Sequence, residues 1–236
     1  MLNRLAFTLL FVLALPVSGQ TCRQALALGL DVSGSVDLEE YRLQLDGLAA
    51  ALTDAEVAEA ILSTPSVPIY VAIFEWSGRS YQRLIVDWQP LVDQNTLDQV
   101  ATRLRQWQRE PAPETTGLGA ALEFGAALLS RHPTCSKATL DISGDGKNNV
   151  WPRPKLVHNS GLLDGIVVNG LVIGNELFRP AGSEAEGIAE LTAYYQSVVI
   201  RGPGAFVESA LGFQDYEAAM KRKLLREIAT FALSSK

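Results

Sequence analysis

The chain has 236 residues, with 20 lysines and arginines against 26 aspartates and glutamates, a formal net charge of −6. An acidic chain of this kind is a poor match for nucleic acid or for an anionic membrane surface as partner. Its length, after removal of a short leader, fits one large α/β domain, and no repeat, low-complexity tract or Gly/Ser linker divides it.

Residues 1–19 are expected to be a secretory signal peptide. Arg4 supplies the positive start, Leu5 to Leu15 form an apolar run too short to span a bilayer, and Pro16-Val17-Ser18-Gly19 supply small residues for cleavage. The residues ahead of Cys22 do not form a lipoprotein box. No second apolar run of spanning length follows, so the expected product is an exported, periplasmic or secreted domain over residues 20–236 with no membrane span. Its two cysteines, Cys22 and Cys135, enter an oxidising compartment, where an even count favours one disulfide.

Ala25 to Leu30 (ALALGL) reads as a buried parallel strand ending in Asp31. Asp37 and Glu40 form a capping-box pattern, and Leu38, Tyr41, Leu45, Leu48 and Leu52 then recur at helical spacing. Val67 to Trp76 reads as a second strand, Ser77 to Ser80 as a turn, and Gln82 to Val86 as a short antiparallel edge strand. Leu97 to Trp107 and Thr116 to Ser130 read as helices, Lys137 to Ile142 and Gly165 to Ile173 as strands, and Ser183 to Tyr195 as a helix. Ala205 to Glu208 reads as a last short strand, and Phe213 to Leu233 as a terminal helix whose Lys221, Arg222, Lys223 and Arg226 form a solvated face. Strands alternating with helices predict a doubly wound, mostly parallel sheet with one antiparallel edge strand and helices on both faces. Ligands of such sheets bind beyond the carboxyl ends of the strands.

Residues 141–149, DISGDGKNN, imitate the front half of a calcium loop through Asp141, Ser143, Asp145 and Gly146. The position that must carry the bidentate Glu is Pro152, so any metal here needs ligands from elsewhere. The end of the first strand offers them. Asp31, Ser33 and Ser35 alternate, which in extended backbone points three oxygen side chains one way. The loop Glu114-Thr115-Thr116-Gly117 adds hydroxyls. Two carboxylates and several hydroxyls make a hard-oxygen site for a small divalent cation, Mg2+ first, with Mn2+ or Ca2+ as alternatives; zinc and copper prefer nitrogen and sulfur.

D31-V-S33-G-S35, a threonine in T116-G-L-G-A-A-L and a later D145-G resemble the metal-ion-dependent adhesion site of von Willebrand factor type A (vWA) domains. The stretches LDVSGSVDLEEYRLQLDGLAAAL, EWSG, DISGDGKNN and VVNGLVIG are similar to a family of exported bacterial proteins of unknown function that carries this domain. The resemblance implies a Rossmann-like vWA fold from about Ala25 to the end. It implies metal ligands at Asp31, Ser33, Ser35, Thr116 and Asp145, with Thr115 the alternative to Thr116. It also implies neighbouring first and fourth strands. Cys22 lies nine residues before Asp31 and Cys135 ten before Asp145, so the two would meet at the bottom of adjacent strands. Strands about 4.8 Å apart fall within the span of a disulfide.

The expected function is that of a binding module, not an enzyme: the cation takes an Asp or Glu carboxylate from a protein partner. Trp76, Ser77, Asn148, Asn149 and Trp151 are candidate rim contacts. The oligomeric state is not legible. One alternative is a metal-ordered assembly or chaperone-like factor for exported proteins. The enzyme alternative, a Mg-dependent phosphatase of the haloacid dehalogenase type, needs a second aspartate where Ser33 stands. A serine hydrolase needs a histidine base, and the chain has only His132 and His158.

Overall fold

A computed structural model describes residues 22–132, 135–174 and 184–234. The expected leader, residues 1–19, and Ser183 at the start of the predicted helix lie outside the described residues. The strands are β1 (Cys22–Asp31), β2 (Ile69–Trp76), β3 (Gln82–Leu91), β4 (Cys135–Gly144), β5 (Ile166–Ile173) and β6 (Val207–Ala210). The helices are α1 (Leu38–Thr53), α2 (Ala55–Leu62), α3 (Gln94–Gln106), α4 (Leu118–Leu129), α5 (Pro154–Asn159), α6 (Glu184–Val198) and α7 (Tyr216–Ser234), the last preceded by a 3-10 turn at Phe213–Asp215. No helix among the described residues is long and apolar enough to cross a membrane.

The sheet order is β3-β2-β1-β4-β5-β6. Only β3 runs antiparallel, at the edge beside β2. The predicted doubly wound architecture is therefore present, and the order reverses beside β1, between β2 on one side and β4 on the other. Strands extend further than their apolar runs: β1 begins at Cys22 and β3 reaches Leu91. Helices α2 and α5 were not read from the sequence. Both are short, and α5 starts at a proline in a stretch without apolar periodicity.

β1 shows how the core is divided. Leu26, Leu28 and Leu30 face the layer of α1, α2, α3 and α7, while Ala25 and Ala27 face α4. Small residues on that second face let α4 lie close to the sheet. Gly29 follows the same rule, since a Cβ there would meet the Phe74 ring at 2.7 Å. Gly125 of α4 does so from the helix side, with Leu140 of β4 2.3 Å from the place of a Cβ. The close approach carries the N-terminal end of α4, and the threonine loop before it, to the end of β1.

The α1 capping box forms as read: Asp37 accepts from the Glu39 and Glu40 amides, and Glu40 accepts from the Asp37 amide. Leu38, counted with the apolar stripe, is instead 69% exposed; it stands in the first turn, beyond the edge of the core.

Of the basic cluster of α7, Arg222 and Arg226 are exposed and Lys221 is half-buried, but Lys223 turns inward. Lys223 is fully buried and donates to Asp141 of β4 and, at 2.8 Å, to Glu227. Asn169 of β5 donates to the same Glu227 oxygen at 2.6 Å and accepts from the Phe206 amide at 3.0 Å. Lys221 pairs with Asp54 and Glu56, and Arg222 with Glu208. α7 packs on β4 and β5 at the point where each places a polar side chain on the inner face, so the lysine turns inward to meet them. Burial holds the Lys223 ammonium below its ordinary range, against the pull of Glu227.

Cys22 and Cys135 form a disulfide across 113 residues, at a Cα separation of 4.7 Å and in direct register on β1 and β4. In the chain-entropy account such a long loop stabilises by about 4–5 kcal/mol.

Candidate metal centre

β1 delivers Asp31 to the rim fully buried, and the chain then turns sharply. The Ser33 amide donates to Asp31 Oδ1 at 2.8 Å, and Gln44 of α1 reaches back to the Asp31 carbonyl at 2.9 Å. The Gly34 amide donates to the Glu114 carbonyl at 3.0 Å. A Cβ on Gly34 would lie 2.8 Å from that of Glu114, so the two loops approach too closely for any other residue.

The threonine loop is clipped to the end of β2 on one side and to the β4 loop on the other. Ser77 donates its hydroxyl to the carbonyl of Pro113, and the Gly117 amide donates to the Ser77 carbonyl at 2.7 Å. Asn149 brackets Thr116: its side-chain oxygen accepts from the Thr116 amide at 2.9 Å, and its amide donates to the Thr116 carbonyl at 3.0 Å. Asn148 accepts from the Gly119 amide at the start of α4. Both asparagines thus fix the loops, as turn-forming amides do.

These constraints gather the predicted ligands. Ser33 Oγ lies 3.4 Å from both Ser35 Oγ and Thr116 Oγ1, and Ser35 donates to Asp145 Oδ1 at 2.7 Å. The 3.4 Å spacings exceed the usual length of a hydroxyl hydrogen bond. Thr115, the alternative to Thr116, is exposed and stands over Gly78 instead. Asp31 Oδ2 is buried with no hydrogen-bond partner among the described residues. An orphaned carboxylate oxygen costs folding energy unless some cation or donor meets it. Burial, and then the neighbouring Asp145 carboxylate, hold the Asp31 carboxyl well above the usual range, with bonds from Ser33 and from the Asp145 backbone opposing. A divalent cation held between the two carboxylates would cancel their repulsion. Among the described residues no cluster of three or more His, Cys, Asp or Glu exists, so this set of two carboxylates and three hydroxyls is hard and weakly charged.

Behind Asp31 lies a tight polar niche. A Cβ on Gly144 would sit 2.5 Å from the Tyr195 hydroxyl, 2.9 Å from Asp31 Oδ2 and 3.4 Å from the Trp76 ring. The Tyr195 hydroxyl and Trp76 Nε1 are themselves buried without a hydrogen-bond partner among the described residues. Burial first, then Asp31 and Asp145, push the Tyr195 hydroxyl well above its ordinary range.

Two candidate rim contacts are corrected by this geometry. Trp76 and Ser77 are both fully buried, Trp76 in the α4 layer and Ser77 holding the threonine loop, because β2 ends beneath that loop and not beside it. Trp151 is 58% exposed. Asp141 and Ser143 face α7, toward Lys223 and Tyr216, and away from the ligand cluster. His132 stacks on Tyr70 and Trp88, and His158 bonds the Val199 carbonyl; both are partly buried rather than free on the surface.

One organising residue was missed. Glu75 in β2 is buried and accepts from Tyr41, Tyr81, Arg83 and Trp107. It ties α1, β3 and the start of the loop 107–117, where Arg109 further donates to the Asp37 carbonyl at 2.8 Å. The signal was a lone acid inside the apolar strand IYVAIFEW.

The model of the family described as "Protein of unknown function (DUF1194)" matches residues 21–232. No curated protein matches the sequence. Solved structures match in fold. The pilus adhesin SpaC from Lactobacillus rhamnosus GG superposes with TM-score 0.60 and 13% identity over 89% of this chain and 31% of that one. Proximal thread matrix protein 1 from the mussel byssus, with a zinc-occupied MIDAS motif, gives 0.58 and 16% over 88% and 48%. A von Willebrand factor type A protein from Catenulispora acidiphila gives 0.57 and 11% over 89% and 43%. The fold is therefore that of a vWA domain, and the chain spans about half the length or less of these three proteins.

Proposed function

The chain belongs to the DUF1194 family, and from that premise we propose that it is an exported binding module. In this reading it holds a divalent cation at Asp31, Ser33, Ser35, Thr116 and Asp145 and offers it to an acidic group on a protein partner. The observation that carries the proposal is the orphaned Asp31 Oδ2, buried beside a second carboxylate and three hydroxyls. The zinc-occupied MIDAS motif of the mussel protein and the adhesin among the structural relatives support a metal-dependent binder. Two carboxylates only balance the charge of a divalent ion and the three hydroxyls are neutral, so a further oxygen ligand such as a carboxylate can still be taken at an open position. Mg2+ is the proposed ion, since the donors are all oxygens. Export is supported by the Cys22–Cys135 disulfide, which belongs to an oxidising compartment. A binder and not an enzyme is proposed, and the engagement of both histidines elsewhere supports that choice.

The test is calorimetric titration of EDTA-stripped protein with Mg2+, Mn2+ and Zn2+, with thermal unfolding alongside. At a ligand concentration one hundred times Kd the stabilisation is about 2.7 kcal/mol. Asp31→Asn is expected to remove it. Absence of heat and stabilisation with all three ions would refute the site. Capture of a periplasmic partner that survives EDTA would refute metal-bridged recognition.

A further inference from the structure

Beside the rim, the β4–α5 loop and α6 enclose a cleft of about 510 Å3, lined in part by Asn149, Trp151, Arg153, Lys155, Tyr194 and Val198. It starts at the proposed metal site, because Asn149 is the residue that brackets Thr116. The loop that forms it is held in place: the Pro152 carbonyl lies 2.1 Å from where a Cβ on Gly119 would stand, and Asn148 bonds both the α4 start and the Val150 carbonyl.

The charge of the cleft is opposite to that of the chain. The protein carries −6 overall, yet among the described residues the only charged ones lining the cleft are Arg153 and Lys155. Both are exposed, and among the described residues their side chains have no ion-pair or hydrogen-bond partner. Lys147 nearby is engaged instead: it pairs with Glu190 at 2.5 Å and lies over the Tyr194 ring. Exposed Trp151 supplies a large flat apolar contact between these charges and the rim. Aromatic and basic anchors of this kind dominate peptide and protein interfaces.

We infer that this cleft receives the acidic segment of a protein partner. One carboxylate of the segment reaches the rim, a second pairs with Arg153 and Lys155, and an apolar side chain lies on Trp151. The first of these contacts rests on the proposed metal-binding function; the other two do not.

The test is selection of random peptides displayed on phage against the mature, oxidised chain in Mg2+, against Arg153→Glu/Lys155→Glu, and against wild type in EDTA. The variant sites are exposed, and circular dichroism verifies their fold. The expected wild-type pool is enriched in Asp and Glu with an aromatic or aliphatic neighbour, and the charge-reversed variant loses or inverts that preference. The best peptide, synthesised, is expected to bind roughly tenfold more weakly to Arg153→Glu/Lys155→Glu and to Trp151→Ala. A pool without enrichment, or without acidic bias, overturns the inference. So does a peptide indifferent to the three cleft residues; if EDTA nevertheless abolishes its binding, the metal site stands and only the cleft falls. Conversely, acidic peptides that bind equally well in EDTA but depend on Arg153 and Lys155 uphold the cleft and refute the metal-bridged contact.

Discussion

Lys223→Met isolates the buried charge that fastens α7 to the sheet. Methionine keeps most of the length and volume of the lysine stem, so the change removes the ammonium with little cavity. It leaves the carboxylates of Asp141 and Glu227 both buried, with Asn169 still donating to Glu227. Removing one partner from a buried ionic group costs about 3–5 kcal/mol. Domains of this kind hold only about 5–15 kcal/mol in all, and a chain of this size loses about 2–4 °C of Tm per kcal/mol. The expected drop is therefore about 6–20 °C. Urea unfolding followed by circular dichroism, with oxidised protein in EDTA, measures it. The urea midpoint falls while the slope stays constant. Adding Asp141→Asn and Glu227→Gln to Lys223→Met recovers much of the loss, since no charge is then left unpaired. A Lys223→Met protein within about 1 kcal/mol of wild type, a small fraction of the expected cost, refutes the ionic anchor.

Reduction of Cys22–Cys135 is expected to lower stability by about 4–5 kcal/mol, read from urea midpoints with and without reductant. Two titratable thiols in unfolded, unreduced protein would contradict the bond. Gly144→Ala forces the Tyr195 hydroxyl or Asp31 aside, costing about 1–3 kcal/mol and weakening Mg2+ binding in calorimetry. Tyr195→Phe in the same protein restores part of both, because the nearest clash is with the hydroxyl oxygen. His132 and His158 both titrate below 6.5, chiefly through burial. The unfolded chain therefore takes up these protons first, and stability falls as pH drops below about 6.5. His132→Gln/His158→Gln should flatten the urea midpoint between pH 7.5 and 5; an unchanged pH profile would show that the histidines contribute nothing.

Much of the rim was legible because its signals are local. Alternating oxygens in DVSGS, a capping box beginning two residues later and DG after an apolar run each specify backbone direction within a few residues. Glu75 and Lys223 were not legible in role, because a charge in an apolar strand or on a helix declares only that something must meet it. Trp76 and Trp151 show the same limit. Both follow or flank rim motifs in sequence, yet one is buried beneath the threonine loop and the other stands open to solvent. Burial depends on which loop crosses above a strand end, and that is set by elements forty or more residues away.

The sequence by itself determined the alternation of strands and helices and the oxygen-rich character of the β1 end, since side-chain period and residue chemistry are properties of short segments. Tertiary structure alone decided that Ser33, Ser35, Thr116 and Asp145 share one point. It alone left Asp31 Oδ2 without a partner and turned Lys223 inward. These outcomes depend on the close seating of α4 on Ala25, Ala27 and Gly29, and of α7 on β4 and β5. Packing distance across a sheet is a sum of side-chain volumes from distant segments, which no local pattern contains.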